Sequence, residues 1–349
     1  MNMWVLDPET NKIVQRPTNF VPGLYKIFDE IMVNAADNKQ RDPSMTKIDV
    51  TIDPENNLIR VWNNGNGIPV VIHSEHQIYV PELIFGHLLT GSNFDDEELK
   101  TTGGRNGYGA KLANIFSTEF VVETVDSKNG LHFKQTFTGN MSHRAEPVIK
   151  KTSSSDFTSI TFRPDLARFK MSSLDADIVS LLSKRVYDVA GTNSSGPNKI
   201  SVSLNGQRIQ VKSLQEYLEM FVGLDPPLAC GKVGDRWEIG IGASDGSFQQ
   251  VSYVNSICTI KGGQHVNYIA DQVIQRLALT VKKRNKGAEI KNHQIKNHLS
   301  IYVNALIVNP AFDSQTKENL TTRPAAFGST CVVPEKMLKE LGTTTVLAN

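Results

Sequence analysis

Apolar residues recur at helical spacing in three stretches of the chain. In the first stretch, residues 20–38, Leu24, Ile27, Phe28, Ile31 and Ala35 follow one another at intervals of one to four residues, an arrangement that places them on one face of a helix. A proline at position 22 stands where a first helical turn tolerates it. Similar patterns over residues 175–189 and 266–283 predict two more helices.

Alternation of apolar and polar residues predicts the strands. The predicted segments are 48–52, 57–62, 120–125, 132–137, 159–162, 200–204, 237–241, 249–254 and 299–303. Prolines and glycines over residues 224–235 predict a surface loop instead. The pattern of strands and helices restarts after this loop, so we predict two α+β domains, residues 1–208 and 209–349.

Composition excludes several classes of protein. The chain has 349 residues and a formal net charge of +1, so any contact with nucleic acid requires a local basic patch rather than a global field. Cys230, Cys258 and Cys331 show no Cys-x-x-Cys spacing, which argues against a zinc site or a disulfide framework. No signal peptide or membrane-spanning run is apparent, and we expect a soluble intracellular protein.

A polar stripe accompanies the apolar face of the first predicted helix. Glu30, Asn34 and Asp37 lie at positions i, i+4 and i+7, so they share one face. At 100° per residue this stripe lies beside the apolar face, which places it at the edge of the core. Such a set suits a base, a metal ligand and a hydrogen-bond acceptor. Taken alone, however, the stripe is better explained as a solvated helix face.

Two glycine-rich segments follow. Asn63-x-Gly65-x-Gly67 comes directly after a predicted strand and allows either close backbone approach to a ligand or merely a tight turn. Residues 103–109 contain four glycines and lead into a predicted helix that begins at Ala110, an arrangement that can cradle phosphate. This second segment is not a Walker loop, because Ala110 separates Gly109 from Lys111. A merely flexible loop is the alternative.

Together these motifs resemble the nucleotide-binding motifs of the GHKL ATPases. Within that superfamily, the strings at residues 21–30, 34–43, 103–111 and 314–318 are similar to eukaryotic type IIA DNA topoisomerases. The resemblance covers nearly the whole chain. It implies a Bergerat-type α/β sandwich over residues 1–208, followed by a transducer domain, residues 209–349, with a fold that resembles ribosomal protein S5 domain 2.

The resemblance also implies residue roles. Glu30 is expected to be the general base, Asn34 to bind Mg²⁺, and Asn63 to bind adenine. The expected ATP-binding set is completed by Asp37, Gly67, Ser92, Asn93, Gly104, Arg105, Asn106, Gly107, Tyr108, Gly109, Ala110, Lys111, Gln315, Thr316 and Lys317. Of these residues, Lys317 is also expected to be catalytic, since it would reach the γ-phosphate from the second domain.

The function implied is Mg²⁺-dependent ATP hydrolysis that closes a homodimeric clamp on double-stranded DNA and drives strand passage in the nucleus. A basic run at residues 281–296 makes Lys282, Lys283 and Arg284 the candidate DNA contacts, which would bind phosphate rather than bases. The resemblance further implies a segment before Trp4 that crosses to the partner subunit, and DNA-cleavage domains elsewhere in a longer chain.

Two alternatives remain at this point. The first is another GHKL ATPase, of the chaperone or mismatch-repair type, against which the strings around Gln315 and Asn106 argue. The second is a nucleotide-dependent dimerisation module with little turnover, against which Glu30 argues, since a binding module needs no base. Stimulation of ATP hydrolysis by DNA would distinguish a topoisomerase from the first alternative. Measurable turnover of ATP would distinguish an enzyme from the second.

Overall fold

The computed structural model describes residues 1–87, 101–102, 108–194, 196, 199–225, 227–284 and 290–343. The chain forms two compact units, one of Met1–Glu98 and Gly104–Val211, the other of Leu99–Gly103 and Lys212–Asn349. The α+β fold class predicted from the sequence is confirmed. The functional domain bounds of 1–208 and 209–349 stay a prediction.

The first unit is built on a nine-stranded mixed sheet. A separate hairpin, β1 (Asn2–Asp7) and β2 (Lys12–Pro17), precedes it. The strands of the sheet are β3 (Lys47–Asp53), β4 (Leu58–Asn64), β5 (Ser117–Asp126), β6 (Leu131–Thr138), β7 (His143–Arg144), β8 (Val148–Lys151), β9 (Phe157–Pro164), β10 (Ser201–Leu204) and β11 (Gln207–Arg208). Their order is β11-β10-β3-β4-β9-β5-β6-β7, and β8 also pairs with β6. Strands β10 and β3 pair in parallel, and the other pairs are antiparallel.

The described part of this unit contains four α-helices: α1 (Pro22–Arg41), α2 (Val80–Gly86), α3 (Gly109–Ile115) and α4 (Ala176–Thr192). Helix α4 begins where Asp175 accepts a hydrogen bond from the Ile178 amide, a side-chain N-cap. Helix α1 ends at Arg41 and is followed by its C-cap, Asp42. The buried Lys39 ammonium donates to the carbonyls of Pro43 and Met45 at 2.7 and 2.6 Å. These bonds fix the turn from α1 into β3.

The second unit packs helices against a five-stranded sheet. Its elements are α5 (Leu214–Leu218), β12 (Ala229–Lys232), β13 (Trp237–Ala243), β14 (Gln249–Val254), β15 (Ile257–Cys258), α6 (Gln264–Arg284), α7 (Asn292–Lys296), β16 (Leu299–Ala305), a 3₁₀ turn (Pro324–Ala326) and α8 (Glu335–Thr343). The strand order is β12-β13-β16-β14-β15. The core of the unit combines residues of α6, such as Ile269 and Val273, with residues of β13 and β16, such as Ile239 and Ile301.

The three helices predicted from periodicity, the helix predicted to begin at Ala110 and the nine predicted strands all occur, with ends shifted by a few residues. The prediction of a loop over residues 224–235 is wrong in part, because β12 lies within it and pairs with β13 from Ala229↔Ile241 to Lys232↔Glu238. Cys230 and Gly231 give this edge strand no alternating apolar pattern. Among the described residues, no helix combines the length and apolarity needed to cross a membrane.

Candidate functional site

The polar stripe of α1 is turned inward. Glu30 is only 4% exposed and Asp37 is buried as well, whereas Asn34 between them is half-buried. The Lys26 ammonium lies one turn before Glu30, with its Nζ 2.8 Å from Glu30 Oε1. A carboxylate withdrawn from water requires such a partner. The interpretation of the stripe as a solvated helix face is therefore wrong for Glu30 and Asp37.

Gly109 brings the start of α3 against this carboxylate. A Cβ added at Gly109 would lie 2.0 Å from Glu30 Oε2, far inside van der Waals contact. No residue with a side chain fits this backbone position unless Glu30 moves. The end of the glycine-rich segment and the acidic residue of α1, separated by 79 positions in the sequence (109 − 30), are thus neighbours.

The other glycine motif lies across the end of β5. A Cβ at Gly67 would lie 1.7 Å from the Val125 carbonyl oxygen, and the Ile68 amide donates to Thr124 Oγ1 at 3.0 Å. Asn63, at the end of β4, is buried, and its Nδ2 donates to the Asn64 carbonyl at 2.9 Å. This bond engages Nδ2, so Oδ1 is the carboxamide atom that remains to accept a hydrogen bond from a ligand.

Asp42 also belongs to this region, although it was not among the predicted site residues. Its carboxylate accepts hydrogen bonds from the Asn66 amide at 2.6 Å and from the Ser44 amide and hydroxyl. Burial alone would raise the pKa of Asp42, but these hydrogen bonds hold it below the usual value. Asp42 thereby fastens the segment that contains Gly65 to the end of α1. The Asp-Pro pair at 42–43, a turn signal, was the available hint.

Lys111 lies in the first turn of α3 and is 1% exposed. Burial lowers the pKa of its ammonium to about 8, because a charge is disfavoured away from water. Its neighbour Ala110 is buried and Tyr108 is exposed. The remaining predicted residues of this motif and of the segment before it, Ser92, Asn93, Gly104, Arg105, Asn106 and Gly107, lie outside the described residues.

In the second unit, Gln315, Thr316 and Lys317 form a tight loop. The Lys317 amide donates to the Ser314 carbonyl at 3.1 Å, and the hydroxyls of Ser314 and Thr316 are 2.8 Å apart. Lys317 has φ of +58°, a left-handed conformation that costs a lysine some energy. The structure describes this loop within its own unit, and its predicted contact with the γ-phosphate stays a prediction.

Lys282 and Lys283 are exposed in the last turn of α6. Positive charges are favoured at the carbonyl end of a helix. The side chain of Arg284, the third predicted DNA contact, lies outside the described part of the structure. The DNA contact therefore also stays a prediction.

The donor set of the first unit suits Mg²⁺ bound together with a phosphate ligand. Among the described residues, no group of three or more His, Cys, Asp or Glu side chains forms a metal cluster. The half-exposed Asn34 carboxamide offers one oxygen ligand, and Mg²⁺ commonly takes few protein ligands and completes its shell with water and substrate phosphates.

Comparisons with known proteins agree with this geometry. Residues 21–168 match the family "Histidine kinase-, DNA gyrase B-, and HSP90-like ATPase", and residues 214–349 match the family "DNA gyrase B". DNA topoisomerase 2 of Pisum sativum is 56% identical to 97% of this chain, and the match spans 24% of that relative. The chain thus spans about a quarter of the length of this relative.

Two solved structures are similar over nearly their whole length. The ATPase region of Saccharomyces cerevisiae topoisomerase II matches with a TM-score of 0.93 and 47% identity, covering 100% of this chain and 90% of that one. The ATPase and transducer domains of DNA topoisomerase II from Balamuthia mandrillaris match with a TM-score of 0.91 and 47% identity, covering 98% and 87%. These similarities disfavour the chaperone and mismatch-repair alternative.

The contact between Gly109 and Glu30 leads to a stability prediction. We expect Gly109→Ala to lower the free energy of unfolding by about 1–3 kcal/mol, because an added methyl group must displace a buried, ion-paired side chain. Urea denaturation followed by circular dichroism measures this change.

Gly231→Ala is the matched control. A Cβ at Gly231 meets only the Met337 Cε at 3.4 Å, an ordinary contact, so we expect a change of about 0.5 kcal/mol or less. Equal stability of the two variants would show that Glu30 gives way freely and that the close approach does not constrain it.

Proposed function

The chain belongs to the eukaryotic DNA topoisomerase 2 family, in which it corresponds to the ATPase region, and on that premise we propose that it binds ATP with Mg²⁺ and hydrolyses it. The observation that carries the proposal is the buried carboxylate of Glu30 beside the start of α3. A carboxylate enclosed next to a glycine-rich, phosphate-cradling segment is what a hydrolase needs and what a binding module does not.

Glu30 is the general base of the proposed reaction. A water oxygen forms a bond to the γ-phosphorus, and the bond from that phosphorus to the bridging oxygen breaks, with its electron pair leaving on ADP. Glu30 accepts the proton of the water. Phosphoryl transfer depends more on positioning and on charge neutralisation than on covalent chemistry, and a base held in one orientation supplies the positioning.

The other predicted residues bind the nucleotide. Asn34 holds Mg²⁺, which neutralises phosphate charge when it is bound. Lys111 and the backbone amides of the segment from Gly104 neutralise the rest. Asn63 accepts a hydrogen bond from the adenine amine through Oδ1. The set is completed by Asp37, Gly67, Ser92, Asn93, Gln315, Thr316 and Lys317.

In the longer chain, we propose that ATP binding closes a homodimeric clamp on double-stranded DNA in the nucleus, and that hydrolysis supports strand passage. The γ-phosphate would favour one conformation of the phosphate-contacting loops, and its removal would favour another. Lys282, Lys283 and Arg284 would bind the DNA backbone. Family membership and the exposed basic end of α6 support this part of the proposal.

Glu30→Gln tests the base directly. The amide keeps the size of the side chain but accepts no proton, so we expect ATP to bind with unchanged affinity and to be hydrolysed about 100-fold more slowly. Glu119→Gln, which alters a surface ion pair with Arg163, is the control and should hydrolyse ATP at the parental rate. A parent chain that binds no ATP refutes the proposal. A parent chain that binds ATP without turnover supports the dimerisation module.

The lowered pKa of Lys111 leads to a prediction about proton uptake when the nucleotide binds. At pH 8.5, a lysine with a pKa of about 8 is mostly neutral, and phosphate charge beside it favours the ammonium form. The pKa of Lys111 therefore rises on nucleotide binding, and roughly 0.7 protons are taken up at this pH. Calorimetric titration with a non-hydrolysable ATP analogue in buffers of different ionisation enthalpy measures the uptake. We expect Lys111→Met to abolish it, and parental binding without uptake would contradict the phosphate contact.

The DNA contact is tested by salt dependence. The logarithm of the DNA-binding constant falls linearly with the logarithm of the salt concentration, and each phosphate contact contributes about 0.9 to the steepness of this line. Replacing Lys282, Lys283 and Arg284 by alanine should therefore make the line less steep by up to about 2.7. Alanine at the exposed lysines 128, 150 and 151 of the first unit removes the same charge and should leave the slope unchanged. Equal slopes in both triple variants would refute the assignment.

A further inference from the structure

Four charges, three of them buried, lie in a row between α1 and α4. Lys26 Nζ is 2.8 Å from Glu30 Oε1 and 3.5 Å from Asp29 Oδ2. The other oxygen of Asp29, Oδ1, accepts a hydrogen bond from Arg185 Nε of α4 at 2.6 Å. Two cations thus alternate with two carboxylates, and the row carries no net charge.

This row is withdrawn from solvent. The Lys26 side chain is 12% exposed, those of Asp29 and Glu30 are 4% and 5% exposed, and that of Arg185 is 0% exposed. Burial opposes the charge of Lys26, yet the attraction of Asp29 and Glu30 outweighs this effect, and the pKa of Lys26 is raised. Lys26 is therefore a permanent cation at the working pH. Removing one member of a buried ion pair leaves the other charge without compensation.

The two oxygens of Glu30 have different surroundings. Oε1 contacts the ammonium of Lys26, whereas Oε2 lies against the backbone of Gly109 at the start of α3. A carboxylate held at one oxygen by a buried cation has little rotational freedom. The other oxygen, Oε2, is therefore held against the start of α3 in one orientation.

We propose that Lys26 is a positioning residue, which holds Glu30 by Oε1 so that Oε2 is the oxygen that accepts the proton of the attacking water. This inference rests on the proposed function. It adds a second residue, Lys26, and gives the two oxygens of Glu30 different roles. Asp29 and Arg185 complete this arrangement. Asp29 contacts Lys26, and Arg185 of α4 holds Asp29 in place. In this assignment Lys26 acts through Glu30 and not directly on the water or the nucleotide.

Lys26→Met tests the proposal, with ATP affinity, kcat and the free energy of unfolding measured on the same preparations. We expect kcat to fall about 10- to 100-fold, the range that follows from a misplaced base, while the Kd of ATP stays within about threefold of the parental value. Lys26→Arg keeps the cation and should give an intermediate kcat. If Lys26→Met does not fold, Lys26→Gln takes its place, with the same expected loss of kcat.

Lys184→Met is the matched control. Lys184 and Asp188 form another buried pair at i, i+4, with 2.9 Å between Nζ and Oδ1, and both residues lie on α4. Its loss should reduce stability and leave kcat within about twofold of the parental value. A purely structural role of Lys26 predicts that both methionine variants lose stability and kcat alike, and that result would overturn the inference.

The outcomes separate this inference from the proposed function. If Glu30→Gln abolishes hydrolysis while Lys26→Met keeps the parental kcat, Lys26 does not position the base and the proposed function stands. If the parent chain does not hydrolyse ATP, or Glu30→Gln hydrolyses it at the parental rate, the proposed function fails and the role of Lys26 fails with it.

Discussion

Helix α1 is buried on most of its circumference, so water cannot solvate all of its polar side chains. Its buried residues include Asp29, Glu30, Asp37 and Lys39 beside its apolar ones. Each buried charge needs compensation within the protein. The structure supplies it by ion pairs at Asp29 and Glu30 and by carbonyl oxygens at Lys39. The position of α1 between the sheet and its neighbouring helices therefore depends on where these partners lie.

Arg185, the ion-pair partner that α4 contributes, makes the position of α1 depend on that of α4. Arg185 fixes Asp29 from α4, and α4 is in turn fastened at its first turn, where Asp177 accepts hydrogen bonds from Arg16 at 2.5 Å and from the Asn19 amide at 2.7 Å. An aspartate near a helix N-terminus is favoured by the helix dipole. Charge pairs thus connect the end of β2, α4 and α1, and displacement of one of these elements changes the surroundings of Glu30.

Local periodicity explains which parts of this arrangement the sequence predicted. The spacing of Leu24, Ile27 and Ile31 suffices for α1, and the positions of Glu30 and Asp37 on its inner edge follow from helical geometry. The approach of Gly109 to Glu30 and the bond from Asn66 to Asp42 join distant segments, and no local pattern encodes such distances. Strand β12 was missed for a related reason, because its pairing with β13, rather than its own residues, makes it a strand.

The second unit holds its own candidate lysine in a closed loop rather than among buried charges. The left-handed backbone of Lys317 persists only if its surroundings impose it. Here the loop is closed at its base by the bridge between Phe312 and Leu320, and Lys261 pairs with Glu318 through both its amide and its ammonium, at 2.9 and 2.6 Å. Strain maintained in this way is typical of functional sites. Glu30 thus belongs to a largely buried lysine–glutamate pair, whereas Lys317 lies next to a pair whose lysine is mostly exposed. An exposed ion pair contributes little, so in the second unit the closure of the loop carries the positional information.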